Sequence, residues 1–202
     1  FALCFAHSGL FAQDVKPASP QDATPQTSTR PVSFLLGGGL TLGGDTLVTA
    51  TYTDGSTQSI KGGGLYYFKA GADWRVSPSV SLQGTVGYHA ESATGTNGSL
   101  KFSRTFLEGL AFWGLVPDRS IGGGIRQVSD GRLTSSGVAS SVGTTDFKAS
   151  LGTVLEYEYF FSRRANRAYG LTVRYVSEKY TPTKFNVAPV TGKDLDGSHL
   201  GL

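Results

Sequence analysis

The chain has 202 residues, among them 28 Gly, 12 Phe, 9 Tyr and 2 Trp, with only 16% charged residues. That is roughly twice the usual glycine share on a charge-poor, aromatic-rich background, which excludes both a helical-bundle composition and an intrinsically disordered chain. A formal net charge of +3 and a single Cys leave no basis for nucleic-acid binding, a disulfide framework, a zinc knuckle or an iron–sulfur site.

No run of eighteen apolar residues occurs, which excludes a membrane-spanning helix but not a membrane barrel. Residues 1–12 (FALCFAHSGLFA) read as the remnant of a secretory signal peptide with cleavage after Ala12, and hence predict export. Cys4 follows Leu3 rather than a small residue, against a lipid anchor there. Residues 13–31, with Pro17, Pro20, Pro25 and Pro31 among Ser, Thr, Gln and Asp, lack the apolar surface to order themselves and read as a flexible leader.

From Val32 the apolar period is two. Tyr66, Phe68, Ala70, Ala72, Trp74 and Val76 alternate with Lys61, Gly63, Lys69, Gly71, Asp73 and Arg75. Phe147, Ala149, Leu151, Thr153, Leu155, Tyr157, Tyr159 and Phe161 alternate with Lys148, Ser150, Gly152, Glu156 and Glu158. Blocks over 32–52, 58–76, 80–91, 99–116, 120–129, 146–161, 168–180 and a stub at 198–202 predict eight strands, the last cut short. In the fourth, Arg104 and Glu108 share a face with Phe102, Phe106, Leu110 and Phe112, which suggests a bulge. Connections alternate between short (around Pro78, Pro117 and Asn166) and long (Ser92–Gly98, Asp130–Thr145 and the stretch after Ser177), the pattern of an up-and-down barrel in a membrane.

Alternation alone does not say which face is inside, because a soluble ligand-binding barrel alternates too. Three features favour an apolar face turned to lipid. Aromatics sit toward the strand ends in two girdles, Trp74, Trp113, Tyr159, Phe161 and Tyr169 near the short turns and Tyr52, Tyr66, Tyr88, Phe147 and Tyr175 nearer the long loops. Glycines crowd the polar face. The charges there nearly balance: Lys69, Arg75, Arg104, Arg126, Lys148 and Arg174 against Asp73, Glu108, Glu156, Glu158 and Glu178, as a desolvated lumen requires. Arg104 or Arg174 is expected to pair with Glu108, Glu156 or Glu158.

Residues 32–202 thus resemble the small outer-membrane barrels of the OmpA/OmpX type. The resemblance implies an all-β, eight-stranded antiparallel up-and-down transmembrane β-barrel in a Gram-negative-type outer membrane, monomeric and without cofactor or metal. It implies outer-membrane lipid or lipopolysaccharide and the outer-membrane assembly machinery as partners, with the loops open to an extracellular ligand.

Catalytic constellations are sparse. At the rim of the third strand, His89-Ala90-Glu91-Ser92 places His89 and Glu91 on one face and Ser92 on the other and reads as a polar rim, and Ser198 and His199 also oppose each other. The runs Gly37–Gly39, Gly62–Gly64 and Gly122–Gly124 fit no phosphate loop. Asp194 and Asp196 fall short of a calcium site, and Asn97-Gly98-Ser99 is a sequon that reads as a turn. The expected function is therefore a membrane-anchored structural or adhesion-type binding protein with a plugged, ion-paired lumen. A narrow solute channel is the alternative, and a lipid A or phospholipid-modifying enzyme a further one.

Overall fold

The computed structural model describes residues 6–8, 31–51, 55–95, 98–164, 167–186 and 188–202. Residues 13–30 of the expected flexible leader and Tyr52 lie outside the described residues, as does most of the signal-like segment. The described chain is all-β apart from one 3-10 turn, Val138–Val142.

Long strands arise where alternation is unbroken: β1 (Val32–Gly43), β2 (Leu65–Arg75), β3 (Val80–Gly95), β4 (Gly98–Val116), β5 (Arg119–Gly137), β6 (Ser150–Arg164), β7 (Arg167–Ser177) and the short β8 (His199–Gly201). Each pairs antiparallel with the next in this order, β5 reaching β6 through Val128↔Ser150 to Arg119↔Tyr159. β8 then lies between β7 and β1, through Val176↔His199 and His199↔Gly43, and Leu202 exchanges two 2.9 Å backbone hydrogen bonds with Leu40. The pairings therefore run round a ring, consistent with a β-barrel. Farther along the same edge of β1, Ala6–Ser8 pairs with Phe34–Leu36.

Several expected boundaries shift, most of them at the long-loop end; at the other end β6 runs on to Arg164, past the expected 161. The block over 32–52 is two strands: Gly43 and Gly44 at positive φ (138° and 76°) turn the chain out of the ring. Thr46–Thr51 then pairs with Thr57–Lys61 in a separate hairpin. The expected long loops at Ser92–Gly98 and Asp130–Thr145 are instead largely strand, since β3 and β4 stay paired to Gly95↔Gly98 and β4 and β5 to Gly98↔Gly137. Asp130 sits at φ 54° where Asp130 and Gly131 of β5 stand opposite Arg104, so the bulge at this level lies in the fifth strand and not in the fourth as anticipated; the fourth strand's own extra residue is Leu115, between Gly114↔Ser120 and Val116↔Arg119. Thr145–Phe147 is detached from β6 and pairs with Arg132 and Leu133.

That break reverses two expected orientations. Phe147 does not join an outward girdle; it is buried against Phe102 and Tyr180, with ring centroids 5.4 and 6.0 Å away. Lys148 does not enter the interior; its side chain is exposed while its backbone N–H donates to Thr181 O. Two residues outside the ladder suffice to uncouple the parity of 145–147 from that of β6.

Within the ring, alternate residues point in. On β4, Phe102, Arg104, Phe106, Glu108, Leu110 and Phe112 are buried, whereas Leu107, Trp113 and Leu115 are exposed. Small residues make room for this interior. A Cβ at Gly122 would stand 2.5 Å from the Phe112 ring, whereas one at Gly109 would meet nothing within 4 Å. Gly122→Ala is expected to cost about 1–3 kcal/mol by overpacking, read as a lower urea midpoint, while Gly109→Ala leaves the midpoint within error.

Candidate functional site: the ion-paired interior

Seven charged residues on the inward face are each no more than 2% exposed: Lys69, Arg104, Glu108, Arg126, Glu156, Arg174 and Glu178. Two of their juxtapositions follow from strand register alone, Glu108↔Arg126 across β4–β5 and Glu156↔Arg174 across β6–β7. The others cross the interior. Lys69 Nζ of β2 donates to Glu156 Oε1 of β6 at 2.8 Å, and Arg174 Nη2 of β7 donates to Glu108 Oε1 of β4 at 2.5 Å. Arg126 Nη1 donates to the same Glu108 oxygen at 3.0 Å. Glu178, just past β7, sits 2.9 Å from Arg126 Nε and 3.4 Å from Arg104 Nη2. Each carboxylate thus meets two cations, the arrangement that limits the cost of burying charge.

The remaining faces of the guanidiniums lie against rings. Arg126 Cζ is 3.9 Å from the Phe106 centroid, Arg174 Cζ 5.2 Å from that of Tyr67, and Arg104 Cζ 5.1 and 5.3 Å from those of Phe102 and Tyr180. Arg104 Nη1, Arg126 Nη2 and Arg174 Nη1 have no hydrogen-bond partner among the described residues. Tyr180 O–H donates to Glu178.

Sequence reasoning treated His89 as a rim residue, but it is fully buried beside this cluster. An arginine can only donate, so His89 Nδ1 accepts from Arg104 Nη2 at 2.7 Å, and its Nε2–H then donates to Thr41 Oγ1 at 2.7 Å. The His199 ring stands edge-on to it at 4.9 Å, its Nδ1–H on Gly197 O at 2.8 Å. The signal for both was parity: His89 shares the inward set with Gln83 and Thr85.

The other predicted interior charges are placed apart. Glu158 accepts from Gln83 Nε2 at 3.0 Å and Ser120 Oγ at 2.8 Å, nearer the short turns. Asp73 and Arg75 are half-buried at that end. Among the girdle residues, Trp74, Trp113, Tyr159, Phe161, Tyr88 and Tyr175 are exposed on the outer wall, and Tyr66 and Tyr169 are half-buried.

Above the charges, toward the long-loop end, Ile60, Tyr67, Ala93, Leu100, Phe102, Leu133, Phe147 and Tyr180 form an apolar cap. Ile60 belongs to the hairpin outside the ring, so that hairpin folds over the mouth. Glu91 helps hold it down by accepting from Lys61 N at 2.7 Å. Burial raises the Glu91 pKa, against the opposing pull of the Lys61 amide.

Several of the candidate catalytic groups take part in structural contacts. Both His89 nitrogens and the Glu91 carboxylate are bonded as above, and Ser92 takes the opposite face of β3. Asp194 accepts from Thr181 Oγ1 and Asp196 from Ser198 N, in loop contacts at 2.7 and 3.0 Å. Among the described residues no group of three or more His, Cys, Asp and Glu is placed to hold a metal ion.

Replacing Glu108 with Gln strands Arg126 and Arg174 with no shared anion and is expected to cost about 3–5 kcal/mol. Glu158→Gln keeps one acceptor oxygen for Gln83 Nε2, and the Ser120 hydroxyl can turn to accept from the new amide N–H, so the change is expected to cost under about 1 kcal/mol. Urea unfolding followed by tryptophan fluorescence checks both, and equal effects would refute the division.

No family model, curated protein or solved structure matches the chain.

Proposed function

We propose that the protein is an eight-stranded transmembrane β-barrel of an outer membrane, a monomeric anchor whose interior is plugged and whose extended long-loop end carries a binding, adhesion-type surface. One observation carries the reading, the wall turned inside out. Outward side chains include Phe34 at 65%, Leu36 at 60%, Ile125 at 64% and Leu151 at 74% exposure, while Lys69, Arg104, Glu108, Arg126, Glu156 and Arg174 of the ring's strands are buried. From the Trp74 and Trp113 level to that of Tyr88 and Tyr175, the outward positions of the described strands hold no Asp, Glu, Lys or Arg. An apolar surface this continuous is a liability in water and a requirement in hydrocarbon.

The interior argues for an anchor over a channel. Ion pairs that cross from β2 to β6 and from β4 to β7 occupy the lumen at mid-height, with the apolar cap above them. Eight strands leave a lumen that side chains of this length fill. The resemblance to OmpA/OmpX-type barrels belongs to this proposal, as does the outer-membrane location, which rests on short turns at one end, long connections at the other and the signal-like start. The ligand of the loop end is a class without a name here: whatever binds a surface of Thr, Ser, Gly and Lys residues carried on paired strands.

Two measurements test the reading. The chain should refold from urea into phosphatidylcholine vesicles, and Leu151→Arg or Val173→Arg should destabilise the inserted form by about 2–4 kcal/mol; a chain that folds stably in detergent-free buffer would refute it. In planar bilayers the inserted protein should be electrically silent, and stable ohmic steps would favour the channel.

A further inference from the structure

The outer wall carries arginines at its short-turn end. Arg119 opens β5 with its guanidinium over the outward ring of Tyr159, Cζ to centroid 5.8 Å. Arg167 opens β7 on the outward parity of Tyr169 and Leu171 and is exposed. At the same end Arg163 Cζ lies 4.0 Å over the Phe160 ring, and Arg75 closes β2. Against these four, the acidic side chains described at this end are Asp73, Asp118 and Glu158; Glu158 is buried on Gln83 and Ser120, and Asp118 stands 3.8 Å from Arg119 with both side chains about half exposed. The long-loop end carries lysines instead, Lys101, Lys148, Lys179 and Lys184 being exposed there, while its exposed arginine, Arg132, is paired with Asp146 at 2.6 Å.

Resting on the membrane reading above, we propose that this arginine rim binds the headgroups of anionic phospholipids in the leaflet it faces. Arg119 and Arg167 are the outward contacts; Arg75 and Arg163 add to the field from the mouth. The chemistry is that of a guanidinium laid on an aromatic ring at the depth where the apolar wall ends. The ring supports the arginine stem, and the planar fork, which in Arg119 touches Asp118 only loosely through Nε at 3.8 Å, can present two N–H groups to the oxygens of a phosphodiester. A zwitterionic headgroup brings its own ammonium and leaves the surplus of cations uncompensated, whereas a lipid with net charge −1 compensates it. Each exposed arginine near the surface is expected to favour such a lipid by about fivefold at low salt.

The chain carries its own reporters, because its two tryptophans, Trp74 and Trp113, both lie exposed near this end. The protein is folded into vesicles of equal parts phosphatidylcholine and phosphatidylglycerol, with brominated acyl chains on one lipid or the other, and tryptophan quenching is measured. Stronger quenching by brominated phosphatidylglycerol is expected, weakened by 0.5 M salt (a Debye length of roughly 4 Å). The double variant Arg119→Gln/Arg167→Gln should lose that preference while its quenching by brominated phosphatidylcholine in pure phosphatidylcholine vesicles stays unchanged. Lys101→Gln, at the other end, should retain it. Equal quenching by both lipids in the unmodified chain overturns the inference and leaves the membrane reading standing. Quenching by neither overturns both. A preference that survives in the double variant overturns the assignment to this rim.

Discussion

Glu108 stands between two guanidiniums, 3.0 Å from Arg126 Nη1 on the neighbouring strand and 2.5 Å from Arg174 Nη2 on a strand across the interior. The first contact needs only the β4–β5 register. The second exists only when the sheet has curled far enough to bring β7 opposite β4, so the carboxylate is satisfied by ring formation rather than by local pairing. Lys69 and Glu156 repeat the condition from β2 to β6. A slip of one residue in any of these strands would turn a charge outward and leave its partner buried alone, which makes the wrong register far costlier than the right one. The apolar outer wall is the other half of the same constraint, since the parity that directs Arg, Lys and Glu inward directs Leu, Val, Ile and Trp outward.

Parity was legible in the residues because it is a local property, and so the inward sets of β2, β3, β6 and β7 could be read from alternation. Partners across the interior were not. Alternation says which face a side chain takes but nothing about which strand faces it, so Glu178 with Arg104 and Arg126 went unforeseen, and Glu158 was assigned to guanidiniums when Gln83 and Ser120 hold it. The period also fails wherever the ladder breaks. Phe147 continues the alternation of 149–161 on paper, yet two residues outside the ladder are enough to turn it inward against Phe102. At the long-loop end Gly, Ser and Thr suggested loops, whereas β3, β4 and β5 stay paired well beyond the apolar belt, because backbone pairing needs no apolar side chain when neighbouring strands supply the partners.

The two ends of the molecule are built differently. At the long-loop end, an outlying hairpin brings Ile60 over an aromatic cluster that seals the charges from above. At the short-turn end the connections are tight, and the described wall finishes in tryptophan, tyrosine and arginine. The seal follows from connection length, since a cap needs a long connection to supply it.

The central claim is that one face of each strand lies against hydrocarbon and the other inside a closed, dry interior. Single nitroxide labels test this most directly, introduced one at a time at Leu107 and Leu155 (outward) and at Val154 (inward, 4% exposed) after Cys4, the only cysteine, is replaced by Ser. In vesicles the outward labels should be relaxed strongly by dissolved oxygen and weakly by a water-soluble nickel complex, and the Val154 label weakly by both. Strong nickel relaxation at Leu107 and Leu155 would place that wall in water and contradict the account.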